Sequence, residues 1–381
     1  MRKNKYLIAV LDEAHGMRET NTLRHKSLSD IVTGADQRLL ATATSAYNKP
    51  SDIAPLVNMA AGIKVLPTDR KAFDKRFIRT DVDQPSLIRS LLNSTKPENS
   101  HLKNTKELKQ TLSTYIDHYD LHDDPSAADK FPTKIEKTIH VPMSTEQVTM
   151  YKYLEGKLPY LLKLKVRNNL PLDKKEAASL NSFSTGIRQA SNSLRPFMPK
   201  YEGTTPKITT AVDNLEKMHK SDKNYRGVVY SNYLDAGLHD YSNELTKRGI
   251  KHTLYTGKLS RKEKDAAIEE YNTGKNKVLL ISSSGAEGLN LKGTKHMQIL
   301  EPHFNHSKIK QIMGRGVRYN SHAHLPKEER VVQVEHYLST FPESRFSFGK
   351  QQHSIDSYLK HNSMNKSEVT DQMQDLIKEK N

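Results

Sequence analysis

Cysteine is absent from the 381 residues, which excludes disulfides, cysteine-ligated metals and thiol nucleophiles outright. Long apolar runs are missing too. None approaches the roughly 18 residues that a membrane helix needs, and the start lacks the apolar core of a signal peptide. These absences predict an intracellular, cytoplasmic protein with no membrane partner. Acidic residues are in deficit, with 44 Asp and Glu against 60 Lys and Arg, a net charge of +16. An excess of that size favours a polyanionic partner such as nucleic acid; a generally lysine-rich proteome is the plainer alternative. Hydrophobic residues make up 35% of the chain, enough at this length for two or three domains with proper cores. There is no internal repeat.

What is present is an alternation of strand-like and helix-like segments. Residues 6–11 form a short apolar run that reads as a buried parallel strand, and residues 37–44 form a second. A helix is expected over about residues 27–32, and another after Ser51-Asp52, where Ile53, Leu56, Val57 and Ala60 keep helical spacing. Residues 69–130 are polar and charged and read as a linker with surface helices. A strand at 135–141 is followed by helical stretches at 145–155 and 159–166. A second α/β unit begins near Thr205-Pro206-Lys207. Strands are expected at 227–230, 252–255, 278–281, 297–300 and 331–337, with helices at 234–248 and 261–272. This spacing implies a parallel, doubly wound sheet. Val369, Met373, Leu376 and Ile377 share one face of a short amphipathic helix at the end, expected to pack on the body. The domain division is therefore 1–68, 69–204, 205–345 and 346–381.

Two places carry chemistry. Asp12-Glu13-Ala14-His15 ends the first strand, and the carboxyl ends of strands are where open α/β sheets place their sites. Adjacent acids there can hold a magnesium ion and polarise a water on a nucleotide phosphate, or simply cap the next helix. In Gln311-Ile312-Met313-Gly314-Arg315-Gly316-Val317-Arg318 the two arginines are three apart, so a helix would project both from one face. Two guanidinium groups so placed can stabilise charge on a transferred phosphoryl group; otherwise they are two surface arginines. Gly314 and Gly316 would let the backbone approach something closely. Asp117-His118, Leu121-His122-Asp123-Asp124 and the His322/His324 pair have no zinc-site spacing and read as solvated loop residues.

In combination these segments resemble the superfamily 2 helicases and translocases, in the Swi/Snf-like branch. They are most similar to its viral and mobile-element members, including the poxvirus transcription-factor ATPases. Asp12 to His15 resembles motif II, and Ala41-Thr42-Ala43-Thr44 with Asn48 resembles motif III. Phe73-Asp74-Lys75-Arg76-Phe77, Ile187-Arg188-Gln189-Ala190 and Thr205-Pro206-Lys207 resemble connecting segments of that branch. Gly285-Ala286-Glu287-Gly288-Leu289-Asn290-Leu291 resembles motif V. Glu301-Pro302-His303-Phe304-Asn305 resembles the segment just after motif V, and Gln311 to Arg318 resembles motif VI. The resemblance spans about residues 6–337 in order.

It implies RecA-like doubly wound parallel sheets, one complete lobe and one partial, with a helical insertion between them. It also implies a DNA-stimulated ATPase that uses ATP and Mg²⁺ between the lobes while tracking DNA, with double-stranded DNA as the expected partner. Asp12, with Glu13, would hold the metal, and Glu13 would position the attacking water. His15, Thr42 and Thr44 would transmit nucleotide state. Gln311, Arg315 and Arg318 would reach the γ-phosphate, and Gly288 and Asn290 would touch nucleotide and nucleic acid. Ser231, Asn232, Thr256 and Gly257 are candidate phosphate-backbone contacts, with ordinary turn residues as the alternative.

The phosphate-cradling loop G-x-x-x-x-G-K-[ST] of these enzymes does not occur in the chain. An upstream segment or a separate polypeptide is expected to supply it; a decayed gene is the remaining explanation. The competing function is a non-catalytic nucleic-acid-binding scaffold, or a subunit of a viral transcription or restriction machine. A truncated sheet would expose apolar surface unless something covers it.

Overall fold

The computed structural model describes residues 8–42, 49–82, 97–121, 124–283, 289–304, 306–343 and 352–378. Strands β1 (Ile8–Leu11) and β2 (Gln37–Leu40) are joined through helix α1 (Leu23–Thr33) and pair in parallel. Thr22 caps α1 by accepting the His25 N–H at 3.2 Å. Helix α2 (Ile53–Ala61) follows, then α3 (Arg70–Phe77), whose cap Asp69 accepts the Ala72 N–H at 2.9 Å. The polar stretch expected as a linker is better ordered than its composition suggests. An antiparallel pair, β3 (Ile78–Val82) and β4 (Pro97–Leu102), leads to helix α4 (Thr105–Tyr115). Phe73, Phe77, Leu108 and Leu112 bury together with Ile53 and Val57, so a few apolar residues at helical spacing suffice for a core.

Strand β5 (Thr133–Pro142) precedes α5 (Thr145–Glu155), α6 (Tyr160–Arg167) and α7 (Lys174–Asn192). Next come α8 (Pro206–Ser221), β6 (Gly227–Ser231), α9 (His239–Lys247), β7 (Thr253–Tyr255), α10 (Arg261–Thr273) and β8 (Val278–Ser282). β9 (His296–Ile299), α11 (His306–Gly316), β10 (Val331–Thr340) and α12 (Ile355–Lys378) complete the order. Six strands form one parallel sheet in the order β5-β10-β9-β6-β8-β7. The fold is α/β with helices on both faces of this sheet. Period-two alternation divides its core: Val228, Tyr230, Leu279 and Ile281 face α10 and α11, while Val229, Val278 and Leu280 face α8 and α9. β5, read from sequence as part of the insertion, is an edge strand of this sheet, in register with β10 along its whole length.

Two expectations need correcting. The strand at β1 is not buried on both faces. Ala9, Leu11 and Leu40 pack beneath α1 and α2, but Ile8, Val10 and Leu39 are 59%, 66% and 60% exposed on the other face. The C-terminal helix is not short. α12 has 24 residues, with Ile355, Tyr358 and Leu359 packed on α5 and α6 and Met373 and Ile377 in the core of α2, α3 and α4. Among the described residues no helix is long and apolar enough to cross a membrane.

Candidate functional site

The first half-site sits at the carboxyl end of β1. Asp12 accepts the Glu13 N–H at 2.8 Å, and Glu13 holds left-handed backbone (φ 51), which turns the chain sharply after the strand. Both carboxylates are exposed. Ala41 donates to the Leu11 carbonyl at 2.8 Å and Ala14 to that of Ala41 at 2.9 Å. These two bonds lash the ends of β1 and β2 together. His15 Nδ1 therefore lies 3.1 Å from Glu13 Oε2 and 3.4 Å from the Thr42 hydroxyl. The expected coupling pair His15 and Thr42 is in contact; Thr44 and Asn48 lie outside the described residues.

Oxygen donors of this kind fit Mg²⁺, which takes one or two carboxylates and completes its octahedron with water and substrate phosphate. Among the described residues no group of three or more His, Asp or Glu could hold a metal, so Asp12 and Glu13 depend on such outside oxygens.

The second half-site lies on the carboxyl edge of the six-stranded sheet. α11 carries Gln311, half-buried, and ends at Gly316, so Arg318 does not share a helical face with Arg315 as the spacing suggested. Arg318 stands in the following turn, where Ser321 donates to its carbonyl at 2.7 Å and accepts its N–H at 3.2 Å. Its exposed guanidinium reaches the Leu289 carbonyl at 3.5 Å. Arg315 is half-buried, and its Nε is enclosed with no hydrogen-bond partner among the described residues. The Leu291 N–H donates to the Arg315 carbonyl at 3.3 Å, which ties the end of motif V to the end of α11. Asn290 is exposed beside it, held through its carbonyl by Asn272 at 3.0 Å. Gly288 lies outside the described residues.

The two glycines differ. A Cβ on Gly316 would meet Met297 Sδ at 2.9 Å and Thr294 at 3.1 Å, so this glycine serves helix-to-strand packing. A Cβ on Gly314 would meet nothing within 4 Å among the described residues, so this glycine borders open space.

Of the four candidate phosphate contacts, two fail on burial. Ser231 is fully buried and donates to Glu301 Oε2 at 2.9 Å. Thr256 is 6% exposed, and its hydroxyl accepts the Lys258 N–H at 3.2 Å within its own turn. Asn232 is half-buried, with its N–H donated to Glu301 and its side-chain oxygen accepting from Tyr230 at 2.8 Å. Gly257 alone of the four is exposed. His322, expected in a solvated loop, is fully buried and bridges the Thr294 carbonyl (2.7 Å) and the Ser321 hydroxyl (2.9 Å). Burial holds its imidazole below the ordinary histidine range.

Beneath this edge lies a polar hub that sequence reasoning missed. Glu301 also accepts Asn192 Nδ2 at 2.7 Å, and Asn192 Oδ1 accepts Lys207 Nζ at 2.8 Å. The ammonium is paired with Asp356 Oδ2 at 2.6 Å, both side chains fully buried. Arg188 donates to the Pro302 carbonyl at 2.8 Å, its guanidinium 5.4 Å and 5.0 Å from the ring centres of Tyr233 and Phe304. α7, α8, β6, β9 and α12 are thus keyed to one another just below the carboxyl edge of the sheet. The segments holding Arg188, Lys207 and Glu301 stood out by resemblance, but nothing in the sequence showed that these residues meet Asn192 and Asp356 in one network.

Parallel α/β sheets with acids after a strand end and arginines at the end of a helix define the class: an α/β protein whose site is of the kind that handles nucleotide phosphates. Residues 1–196 match the SNF2-related domain family and residues 208–320 the helicase conserved C-terminal domain family. A protein of Acanthamoeba polyphaga mimivirus named as a putative ATP-dependent RNA helicase is 31% identical over 381 residues, covering 98% of this chain and 76% of its own length. The NPH-I termination-factor homologue of an African swine fever virus isolate is 24% identical, covering 97% of this chain and 62% of its own. Among solved structures, the Sulfolobus solfataricus SWI2/SNF2 ATPase core in complex with dsDNA aligns at a TM-score of 0.42 and 15% identity, covering 98% of this chain and 73% of that one. The chain belongs to the SNF2-related helicases, a family of ATP-hydrolysing enzymes.

Proposed function

We propose that this chain is the motor portion of a nucleic-acid-stimulated ATPase that tracks double-stranded DNA. One observation supports it most: the Arg315 Nε, enclosed and without a hydrogen-bond partner among the described residues, lies at the end of α11, where the Leu291 N–H joins motif V to motif VI. In this reading Asp12 and Glu13 hold Mg²⁺, which would neutralise phosphate charge when bound. Glu13 orients the attacking water, and His15 with Thr42 reports nucleotide state through their contact. Gln311, Arg315 and Arg318 stabilise charge on the γ-phosphate from the second lobe. Asn290, Gly288 and Gly257 meet nucleotide or nucleic-acid backbone, and the net charge of +16 makes that grip salt-sensitive. The domain division 1–68, 69–204, 205–345 and 346–381 goes with this reading, with β5 lent by the second segment to the sheet of the third, as does an intracellular setting.

A polypeptide segment completes the first lobe. Parallel sheets carry cover on both faces, whereas β1 and β2 have helices beneath Ala9 and Leu11 but leave Ile8, Val10 and Leu39 bare. That segment would bring the glycine-rich loop. The second reading, a nucleic-acid-binding scaffold, is favoured by the absence of that loop from the chain's own sequence.

Phosphate release from the chain mixed with a polypeptide carrying the completing loop, with and without duplex DNA, decides between them. Arg318→Ala is expected to cut the DNA-stimulated rate by about 10³. Full activity in that variant would remove the arginine assignment, and no release from any mixture would leave the scaffold reading.

A further inference from the structure

The insertion presents a surface that none of the assigned roles uses. Between residues 152 and 163, at the junction of α5 and α6, Leu158 and Leu162 turn inward, 6% and 3% exposed. Outward it shows Tyr153 and Tyr160, each 66% exposed, and Leu161 at 54%. Lys157 Nζ lies 5.0 Å from the centre of the Tyr153 ring, and Lys163 Nζ 5.5 Å from that of Tyr160. Lys152 is exposed alongside. Glu155, the one carboxylate of this segment, is 2% exposed and turned inward onto Arg167, with Oε1 3.1 Å from Nε. The segment therefore offers three cations, two exposed aromatic rings each flanked by a lysine, and no outward anion.

We infer that this junction is a docking site for single-stranded nucleic acid, with bases on Tyr153 and Tyr160 and phosphates on Lys152, Lys157 and Lys163. Charge selects a polyanion. The rings select one whose bases are free to stack, since duplex bases are already stacked on one another. An acidic protein segment would satisfy the lysines and leave the two ring faces without a planar partner. The site rests on the proposed nucleic-acid role only for its choice of ligand. Its test needs no ATP.

The full chain is titrated into fluorescein-labelled (dT)20, (U)20 and a 20-base-pair duplex, read by anisotropy. Tyr153→Ala with Tyr160→Ala is expected to raise Kd for the single strands by about tenfold or more, given typical base–aromatic stacking. Kd for the duplex should not change, and Tyr153→Phe with Tyr160→Phe should bind as the parent does. Lys157→Ala with Lys163→Ala should lower the salt dependence by roughly one released counterion. A 5-iodouracil version of the oligonucleotide should crosslink to Tyr153 or Tyr160, located by mass spectrometry. The (dT)20 and (U)20 arms tell a DNA strand from an RNA strand. Unchanged single-strand affinity in the Tyr→Ala pair would overturn the assignment. So would crosslinks confined to the six-stranded sheet's edge, or polyglutamate binding that the lysine changes abolish while (dT)20 does not bind. Each result stands whether or not the chain hydrolyses ATP.

Discussion

Replacing Asp356 by Ala is the sharpest perturbation available in the buried hub. It removes the carboxylate 2.6 Å from Lys207 Nζ in a place where both side chains are fully shielded from water. Among the described residues the ammonium keeps only Asn192 Oδ1, a neutral acceptor at 2.8 Å. The Ser339 N–H, which donates to the same carboxylate at 3.0 Å, is orphaned as well. Breaking a buried pair on one side costs about 3–5 kcal/mol, because an uncompensated charge stays inside. A loss of that size is a large share of a typical folding stability of about 5–15 kcal/mol. With a urea slope of about 2–3 kcal/mol per molar, the midpoint should fall by about 1–2 M. Urea unfolding followed by circular dichroism reads it directly. The same geometry predicts that Lys207→Met with Asp356→Leu recovers most of the loss, since two apolar residues replace a desolvated pair at little net cost. An Asp356→Ala midpoint within about 0.2 M of the parent, on the order of the error of such extrapolations, would refute the reasoning. A double variant no better than the single would refute it too.

Gly316→Ala should cost about 1–3 kcal/mol by crowding Met297 and Thr294, read as a lower melting temperature. Gly314→Ala meets open space and should keep or raise thermal stability, while lowering phosphate release if nucleotide occupies that space. The Glu136 carboxyl is held down at about 2 by its hydrogen bond from His336 across β5 and β10, 2.9 Å long. Its folded value lies below its unfolded one, so the contribution is present above about pH 4.5 and is lost as pH falls toward 2. Because Glu136 is partly exposed, Glu136→Gln should remove only about 1 kcal/mol in urea unfolding, at neutral pH and not at about pH 2. Val10→Lys, on the bare face of β1, should leave the stability of this chain unchanged and abolish association with a completing polypeptide, measured by sedimentation.

Five of the six strands of the large sheet are legible in the sequence as one unit. These strands are short apolar runs closed by polar turns, and the helices between them carry caps such as Ser260 with Glu263, so local pattern and tertiary role agree. The sequence also placed the acids just after β1 and the arginines near the end of α11, since motif order survives in one dimension. The tertiary structure alone decided the rest. Only pairing could show that β5 belongs to the six-stranded sheet, because a ten-residue strand of mixed polarity carries no record of its neighbour. Ser231 reads as a phosphate contact until Glu301 is seen to hold it. A hydroxyl at a strand end bonds whatever acceptor the fold places there, and that acceptor is 70 residues away. The pairing of Lys207 with Asp356 spans 149 residues, and no local signal distinguishes it from two solvated charges. α12 reads as a short amphipathic helix because its two apolar patches face different cores, one beside α5 and α6 and one beside α3 and α4. A helix packed on two bodies has no single periodic face, so its length and its reach are set by contact and not by sequence period.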